Sequence, residues 1–301
     1  MALCKTGVAN PFREMHDMRK LMQERRRLVS AFLGCALAAT APGALAQVKK
    51  SPASKETLVF AINEGATTQV TAAELFERYT GLAKSVERTL ARPVRLEVYP
   101  ETARFRAELD SRRFDVVFGK TVNLLAGMIR DKQFQAVVKT KVPYVAGFIT
   151  LKGSPIKKPE DMRGKIIMMP ERVFTTKLGE ATLRDLGFKE KDVTIRYTRF
   201  QEAVALSVES GAADVGVVNP TVKREWLEKG NPVLLEAKPV PNWSIIASPG
   251  ISRAEVERLR RALINLKNSE RGTQALKAIG VPEFVAATNA EYLELLKFIG
   301  E

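Results

Sequence analysis

Short apolar runs and segments of helical period take turns along this chain, and their order sets the fold class. "TLVFAINEG" (57–65) reads as a strand ending in glycine. From 70 to 91, Val70, Ala73, Leu75, Phe76, Tyr79, Leu82, Val86 and Leu90 form one wide apolar helix face. "VRLEVY" (94–99) alternates as a strand, "TARFRAELDSRR" reads as a helix and "FDVVFGK" (114–120) as a buried strand. The same grammar returns with "GKIIMMP" as a strand, 176–186 as a helix and "DVTIRYT" as a strand. A helix over 201–210 and a buried strand, "ADVGVVNP", follow.

Each half thus runs strand, helix, strand, helix, strand, the order of parallel sheets with right-handed crossovers. "ELDSRRFDVVFGK" and "SVESGAADVGVVNP" share a helix end, a short turn, an aspartate and a buried strand. The expectation is an α/β protein of two similar lobes, each a mostly parallel sheet flanked by helices. "FQAVVKTKVPYVAGFITLKGSP" and "NPVLLEAKPVPNWSIIASPG" are extended and proline-marked, placed where two chain crossings would form a two-segment hinge. Lobe one would then comprise 56–146 plus 239–301, and lobe two 147–238. The last 50 or so residues are helical: "SRAEVERLRRALINLKN" opens with a serine cap and acids, and "TNAEYLELLKFIG" with a threonine or asparagine cap. These helices are expected to pack back on lobe one.

Ahead of the first strand lies "MQERRRLVSAFLGCALAATAPGALAQ". Its cluster Arg25-Arg26-Arg27 precedes an apolar stretch from Leu28 to Ala39, and Ala44-Leu45-Ala46 gives a small-x-small cleavage pattern before Gln47. About a dozen apolar residues are too few to cross a hydrocarbon core of about 30 Å. Residues 1–46 therefore read as a secretory signal peptide, with Met18 or Met22 as alternative starts and a lipoprotein signal ending at Cys35 as the rival. Residues 47–55, "QVKKSPASK", read as a flexible tether to a periplasmic protein.

Cleavage there removes Cys4, Cys35 and His16, the chain's entire complement of cysteine and histidine. That excludes cysteine nucleophiles, histidine triads, thiolate or imidazole metal sites and disulfides. An enzyme would have to run on carboxylates, Lys, Tyr, Ser and Thr. "GKTVNLLAG" is no phosphate loop, because Phe114 stands where the earlier glycine belongs. The net charge is +14; residues 1–46 hold 7 of the 48 Lys and Arg and 3 of the 34 Asp and Glu, leaving +10. The basic residues are interspersed with acids, as in "SRAEVERLRRAL", which is a solvated helix face and not a nucleic-acid surface. The positive field favours a small anionic ligand.

With these elements in order, the chain resembles the substrate-binding proteins of bacterial ABC importers with the type II periplasmic fold. Within them it is most similar to the phosphate/phosphite/phosphonate-binding (PhnD-like) group. The resemblance covers about 56–300 and is carried by "FDVVFGK", "GSPIKKPEDMRGKIIMMP", "FQEAVALSVESGAADVGVVNP" and "PGISRAEVERLRRAL". It implies a two-lobed binding protein of Venus-flytrap type. The chain departs from the group's pocket at three places. "RVFTTKLG" stands where a Ser-Thr-Ser-Gly run is usual, Gln201-Glu202 where a histidine and an acid open a helix, and a tyrosine is replaced around Thr102.

In doubly wound sheets the ligand lies beyond the carboxyl ends of the strands, where helix N-termini converge. That selects Glu64, Gly65, Thr67 and Thr68 after the first strand, and Lys120, Thr121 and Asn123 after the third. Lobe two adds Arg172, Thr175 and Thr176, then Arg199, Gln201 and Glu202, then Asn219 and Thr221. Unpaired amides, threonine hydroxyls and an arginine fork suit an anion. The plain alternatives are that Thr175 or Thr176 caps its helix, that Asn219 caps the next ahead of Pro220, and that Lys120 is merely solvated. Glu64 would accept a ligand amine or stand in an exposed turn. Tyr144 and Trp243 flank the crossings, to stack on a ligand or to pack between lobes. The resulting expectation is an exported monomer, not an enzyme, that closes on phosphate, phosphite, a phosphonate or another oxyanion or carboxylate. Its partner would be an ABC permease, with neither cofactor nor metal. The alternatives are a ligand sensor for a membrane receptor and, more remotely, an enzyme on the same scaffold.

Overall fold

A computed structural model describes residues 56–65, 70–111 and 113–301. The expected signal peptide and tether lie outside these residues, as do Thr67 and Thr68. In chain order the strands are β1 (Leu58–Asn63), β2 (Val94–Tyr99), β3 (Val116–Gly119), β4 (Gln135–Thr140), β5 (Gly147–Ile149), β6 (Ile166–Pro170), β7 (Thr194–Thr198), β8 (Val215–Val218), β9 (Val233–Glu236), β10 (Ser244–Ala247) and β11 (Phe284–Ala286). The helices are α1 (Ala72–Leu90), α2 (Thr102–Glu108), α3 (Val122–Lys132), α4 (Phe174–Asp185), α5 (Gln201–Glu209), α6 (Pro220–Glu228), α7 (Arg253–Ile264), α8 (Glu270–Ala278) and α9 (Asn289–Ile299).

Two sheets result, ordered β11-β4-β10-β3-β1-β2 and β7-β6-β8-β5-β9. β1 pairs in parallel with β2 and β3, and β6 with β7 and β8. Neither sheet is wholly parallel. β10 runs antiparallel between β3 and β4, and β5 antiparallel between β8 and β9. The reason is topological. Each of these strands is the first laid down after the chain crosses between sheets. It therefore starts at the end where the parallel strands finish and must run the other way.

Alternation along β1 divides the first sheet's two cores. Leu58, Phe60 and Ile62 face Leu75, Tyr79, Leu82 and Val86 of α1, together with Val256 and Leu259 of α7. Val59 and Ala61 belong to the opposite core with Phe105, Leu125, Ile129, Tyr292 and Leu295. In the second sheet Ile167 and Met169 point to one side, Met168 and Ile149 to the other. Each sheet is thus the middle of three layers. The apolar face expected on α1 narrows in the fold: Phe76 is 51% exposed and Ala73 is also at the surface.

The two crossings lie side by side. Tyr144 and Val240 exchange backbone hydrogen bonds (3.0 and 3.1 Å), and the Ala237 N–H donates to the Ala146 carbonyl at 2.9 Å. Helices α7 and α8 pack on α1, in the first sheet's layers. Helix α9 goes further than the sequence indicates, because it packs on α3 and also on α4 of the second sheet. Phe174 and Leu178 of α4 join the core that holds Leu295 and Leu296 of α9. Arg184 Nη2 donates to the Phe298 carbonyl at 2.6 Å.

Candidate functional site

A cleft of about 430 Å³ opens between the two sheets, walled by the loops and helix starts that follow β1, β3, β6 and β8 and by the second crossing. The chain places these groups by one repeated device, a buried strand followed within one to three residues by a helix. Thr121 precedes α3 after β3, Val173 precedes α4 after β6, and Asn219 precedes α6 after β8.

The first-sheet wall is organised by Glu64, which is 4% exposed and so no exposed turn residue. Its Oε1 accepts from Arg78 Nη1 at 3.0 Å and from the Tyr79 hydroxyl at 2.9 Å, while Oε2 is ion-paired with Lys120. Three donors from within the chain thus already face the carboxylate. Burial, with the adjacent carboxylate, pushes the Tyr79 phenol well above its ordinary pKa, so Tyr79 stays a donor. Lys120 is not a freely solvated lysine either. Its Nζ sits 3.9 Å from the Trp243 ring centroid, a cation–π contact added to the ion pair.

On the same wall the Thr121 hydroxyl lies 3.4 Å from that of Thr102, the residue standing near the family's usual tyrosine. Arg106, one turn beyond Thr102, and Asn123, in the first turn of α3, complete it. Asn123 Nδ2 lies 3.4 Å from Glu301 Oε2.

The second-sheet wall is a hydrogen-bonded chain. Thr175 Oγ1 lies 2.6 Å from the Tyr144 hydroxyl and accepts from Gln201 Nε2 at 2.9 Å. Gln201 Oε1 accepts from the Asn219 N–H at 3.1 Å, and Asn219 Oδ1 caps α6 through the Val222 N–H at 2.9 Å. The hinge is thereby tied to the starts of α4, α5 and α6. Burial pushes the Tyr144 pKa up to about 12, with the Thr175 bond opposing the shift, so its hydroxyl is neutral at physiological pH. Neither threonine caps α4. The N-cap is Val173, Thr175 is the centre of this chain, and the buried Thr176 hydroxyl donates to the Pro170 carbonyl.

Of the remaining expected residues, Arg172 lines the cleft with its side chain 91% exposed, beside Glu171 at 3.3 Å. Its backbone is left-handed (φ 54°), a conformation that disfavours a non-glycine residue by about 1–2 kcal/mol and gathers at functional loops. Thr176, Arg199 and Glu202 do not line the cleft. Arg199 lies over the Phe200 ring at 5.3 Å, and Glu202 is exposed on α5. Arg106, Lys177 and Asn242 line it without having been expected. Lys177 sits two residues beyond Thr175 on the same helix start, the one sequence cue for it, and is ion-paired with Glu301.

Two features define what the cleft can hold. Among the described residues, Arg106, Lys120, Arg172 and Lys177 line it against one acidic residue, Glu64. Of the helices that start at its walls, α3, α4 and α5 have no side-chain cap, while α6 is capped by Asn219. Away from the lining, α1, α7 and α8 are capped by Thr71, Ser252 and Ser269, and Glu291 accepts from the Thr288 N–H at the start of α9. The Leu124 and Thr176 N–H groups turn back to the Thr121 and Val173 carbonyls, each at 3.1 Å, and the first two amides of α3 and of α4 keep their donors and partial positive charge available.

The family model for "ABC transporter, phosphonate, periplasmic substrate-binding protein" matches residues 65–292. Solved structures share the fold. XAC2383 of Xanthomonas citri, with ATP bound, has 15% identity and a TM-score of 0.63, over 81% of this chain and 97% of that one. PhnD1 of Prochlorococcus marinus, in complex with methylphosphonate, has 14% identity and a TM-score of 0.58, over 80% and 96%. The aliphatic sulphonate-binding protein SsuA of Escherichia coli has 14% identity and a TM-score of 0.52, over 81% and 79%. No curated protein sequence matches the chain.

Proposed function

The chain belongs to the periplasmic substrate-binding proteins of phosphonate-type ABC transporters, and from that premise we propose that it captures a small oxyanion between its two sheets and delivers it to a membrane permease. The observation that carries the anion reading is the contrast in capping: α3, α4 and α5 offer bare first turns to a cleft that four cations and one acid line. Structures of similar fold hold methylphosphonate in one case and ATP in another, both phosphorus oxyanions.

Capture works by population shift. An oxyanion that accepts from helix starts on both walls binds the closed arrangement more tightly than an open one and so biases the hinge toward it. The paired crossings at Tyr144 and Val240 are the element that bends. Tyr144 is also bonded to Thr175, so hinge and ligand wall move as one unit. The closed pair of lobes is then the surface offered to the permease.

The test is a thermal-shift and calorimetric screen of the purified protein with orthophosphate, phosphite, phosphonates, sulfonates, organic phosphates, carboxylates, amino acids and neutral sugars. A cognate oxyanion at a hundredfold excess over its Kd adds about 2.7 kcal/mol, a rise in Tm of about 5–10 °C. Shifts confined to amino acids or neutral sugars would refute the reading. Loss of uptake of the same anion by cells lacking the protein checks delivery.

A further inference from the structure

We propose that the ligand is an oxyanion ester whose neutral body carries hydroxyl groups, as in a sugar phosphate or a nucleotide, and that Asn123 and Asn242 select it. This inference rests on the anion reading above and narrows it. It starts from two orphaned acceptors. Asn123 and Asn242 both line the cleft, and the Oδ1 atom of each is buried without a hydrogen-bond partner among the described residues.

Their amide orientations are held by neighbours that accept. Asn242 Nδ2 donates to the Val142 carbonyl at 3.2 Å, and Asn123 Nδ2 faces the Glu301 carboxylate at 3.4 Å. In both residues the oxygen is therefore the end left over. Buried acceptors are completed by donors; orthophosphate and methylphosphonate carry at most one or two P–O–H groups near neutral pH, all on the small head itself, whereas the two acceptors stand on separate elements, Asn123 on α3 and Asn242 in the second crossing. A hydroxyl group supplies the missing donor.

An amine would supply it too, but charge argues against one. Arg106, Lys120, Arg172 and Lys177 surround the space, and the only acidic lining residue, Glu64, already holds Arg78, Tyr79 and Lys120. A ligand ammonium would enter a positive field with no free counter-charge. Size points the same way. The cleft measures about 430 Å³, within the range of about 300–1,000 Å³ for sites that enclose whole organic ligands. A five-atom oxyanion at the helix starts would leave most of it empty, bounded by Tyr144, Pro220 and the Trp243 ring. Those surfaces suit the carbon face of a sugar or a flat base.

The experiment is calorimetric titration of the purified protein with orthophosphate, methylphosphonate, aminoethylphosphonate, glycerol phosphate and AMP. Glycerol phosphate or AMP is expected to bind at least about tenfold more tightly than the other three, one unpaired polar contact being worth about that factor. Asn242→Leu is expected to lower the ester's affinity about tenfold and to leave that of orthophosphate unchanged. The free variant should melt no lower than the parent protein, since the Val142 carbonyl keeps the Thr140 hydroxyl at 3.0 Å. Asn123→Leu supplies the independent second variant and is expected to lower the ester's affinity about tenfold. If orthophosphate, methylphosphonate or aminoethylphosphonate binds as tightly as either ester, the inference fails while the anion reading stands. If none of the five binds, the inference fails, and the anion reading is then decided by the phosphite, sulfonates and carboxylates of the wider screen.

Discussion

Replacing Glu64 by glutamine tests the electrostatic design of the cleft at its one acidic point. The side chain is 3% exposed, against 33% for Arg78 and 18% for Lys120. Removing one member of a buried pair costs about 3–5 kcal/mol when the survivor is left uncompensated. Glutamine keeps a carbonyl oxygen for Arg78 and Tyr79, and Arg78 reaches water, so the expected loss is about 2 kcal/mol. That lowers Tm by about 4–8 °C for a folded unit of this size. The effect on ligand runs the other way. With its counter-charge gone, the Lys120 ammonium acts on an anion in the cleft. At about 8 Å and an effective dielectric constant of about 20, that attraction is about 2 kcal/mol before screening. Salt at physiological strength reduces it to about 1 kcal/mol, a gain in affinity of about fivefold.

Differential scanning calorimetry reads the first effect, and titration of the anion at low and at physiological salt reads the second. Glu64→Gln should be less stable, bind the anion more tightly, and show a steeper salt dependence than the parent protein. A tenfold fall in affinity would refute the reasoning, because Glu64 would then be holding a donor of the ligand. An unchanged Tm would refute the network that ties it to Arg78, Tyr79 and Lys120.

Gly216 tests the packing of β8. A methyl added there would lie 2.8 Å from Val204 Cγ1, 3.0 Å from Val208 Cγ2 and 3.1 Å from Ile149 Cγ1. Gly216→Ala should therefore cost about 1–3 kcal/mol, and an unaltered Tm would mean that this core gives way freely. Glu283 tests acid stability. Its hydrogen bonds to Lys141 and Lys267 pull its pKa down to about 2. Because the folded value lies below the unfolded one, its stabilisation is complete above the usual carboxylate range and disappears as pH falls from there toward about 2. Melting curves across that window should flatten in Glu283→Gln; a slope equal to the parent protein's would remove Glu283 as a cause.

The layered architecture was legible because local patterns and tertiary demands agree there. β2 spans 94–99 as its alternation indicates, and Ser252 and Thr288 stand at the helix starts their residue types mark. Disagreement begins where a residue serves the other side of the cleft. Thr175 and Thr176 look like caps in sequence, but Thr175 is claimed by Tyr144 and Gln201, and Thr176 turns back to Pro170. Glu64 follows the last residue of β1 like any turn acid. Only the fold brings Arg78, Tyr79 and Lys120 around it. Arg106 and Lys177 occupy helix positions that read as ordinary surface, because nothing local distinguishes a charge facing a cleft from one facing bulk water.

The starts of the helices contain the most information about function for the least sequence. A capped helix satisfies its own first-turn amides, and a side-chain cap is worth about 1 kcal/mol. This chain caps α1, α7 and α8 with Thr71, Ser252 and Ser269 and leaves α3, α4 and α5 bare where they meet the cleft. Departures from local consistency that cluster on one surface are expected where a ligand completes what the chain leaves open. Asn219 marks the boundary of that logic. It caps α6 from within the cleft, and its own N–H is taken by Gln201, so α6 is the helix start least free to donate. Under the proposed function the anion's donors should therefore come from α3 and α4, on opposite walls, so that binding would draw the two sheets together.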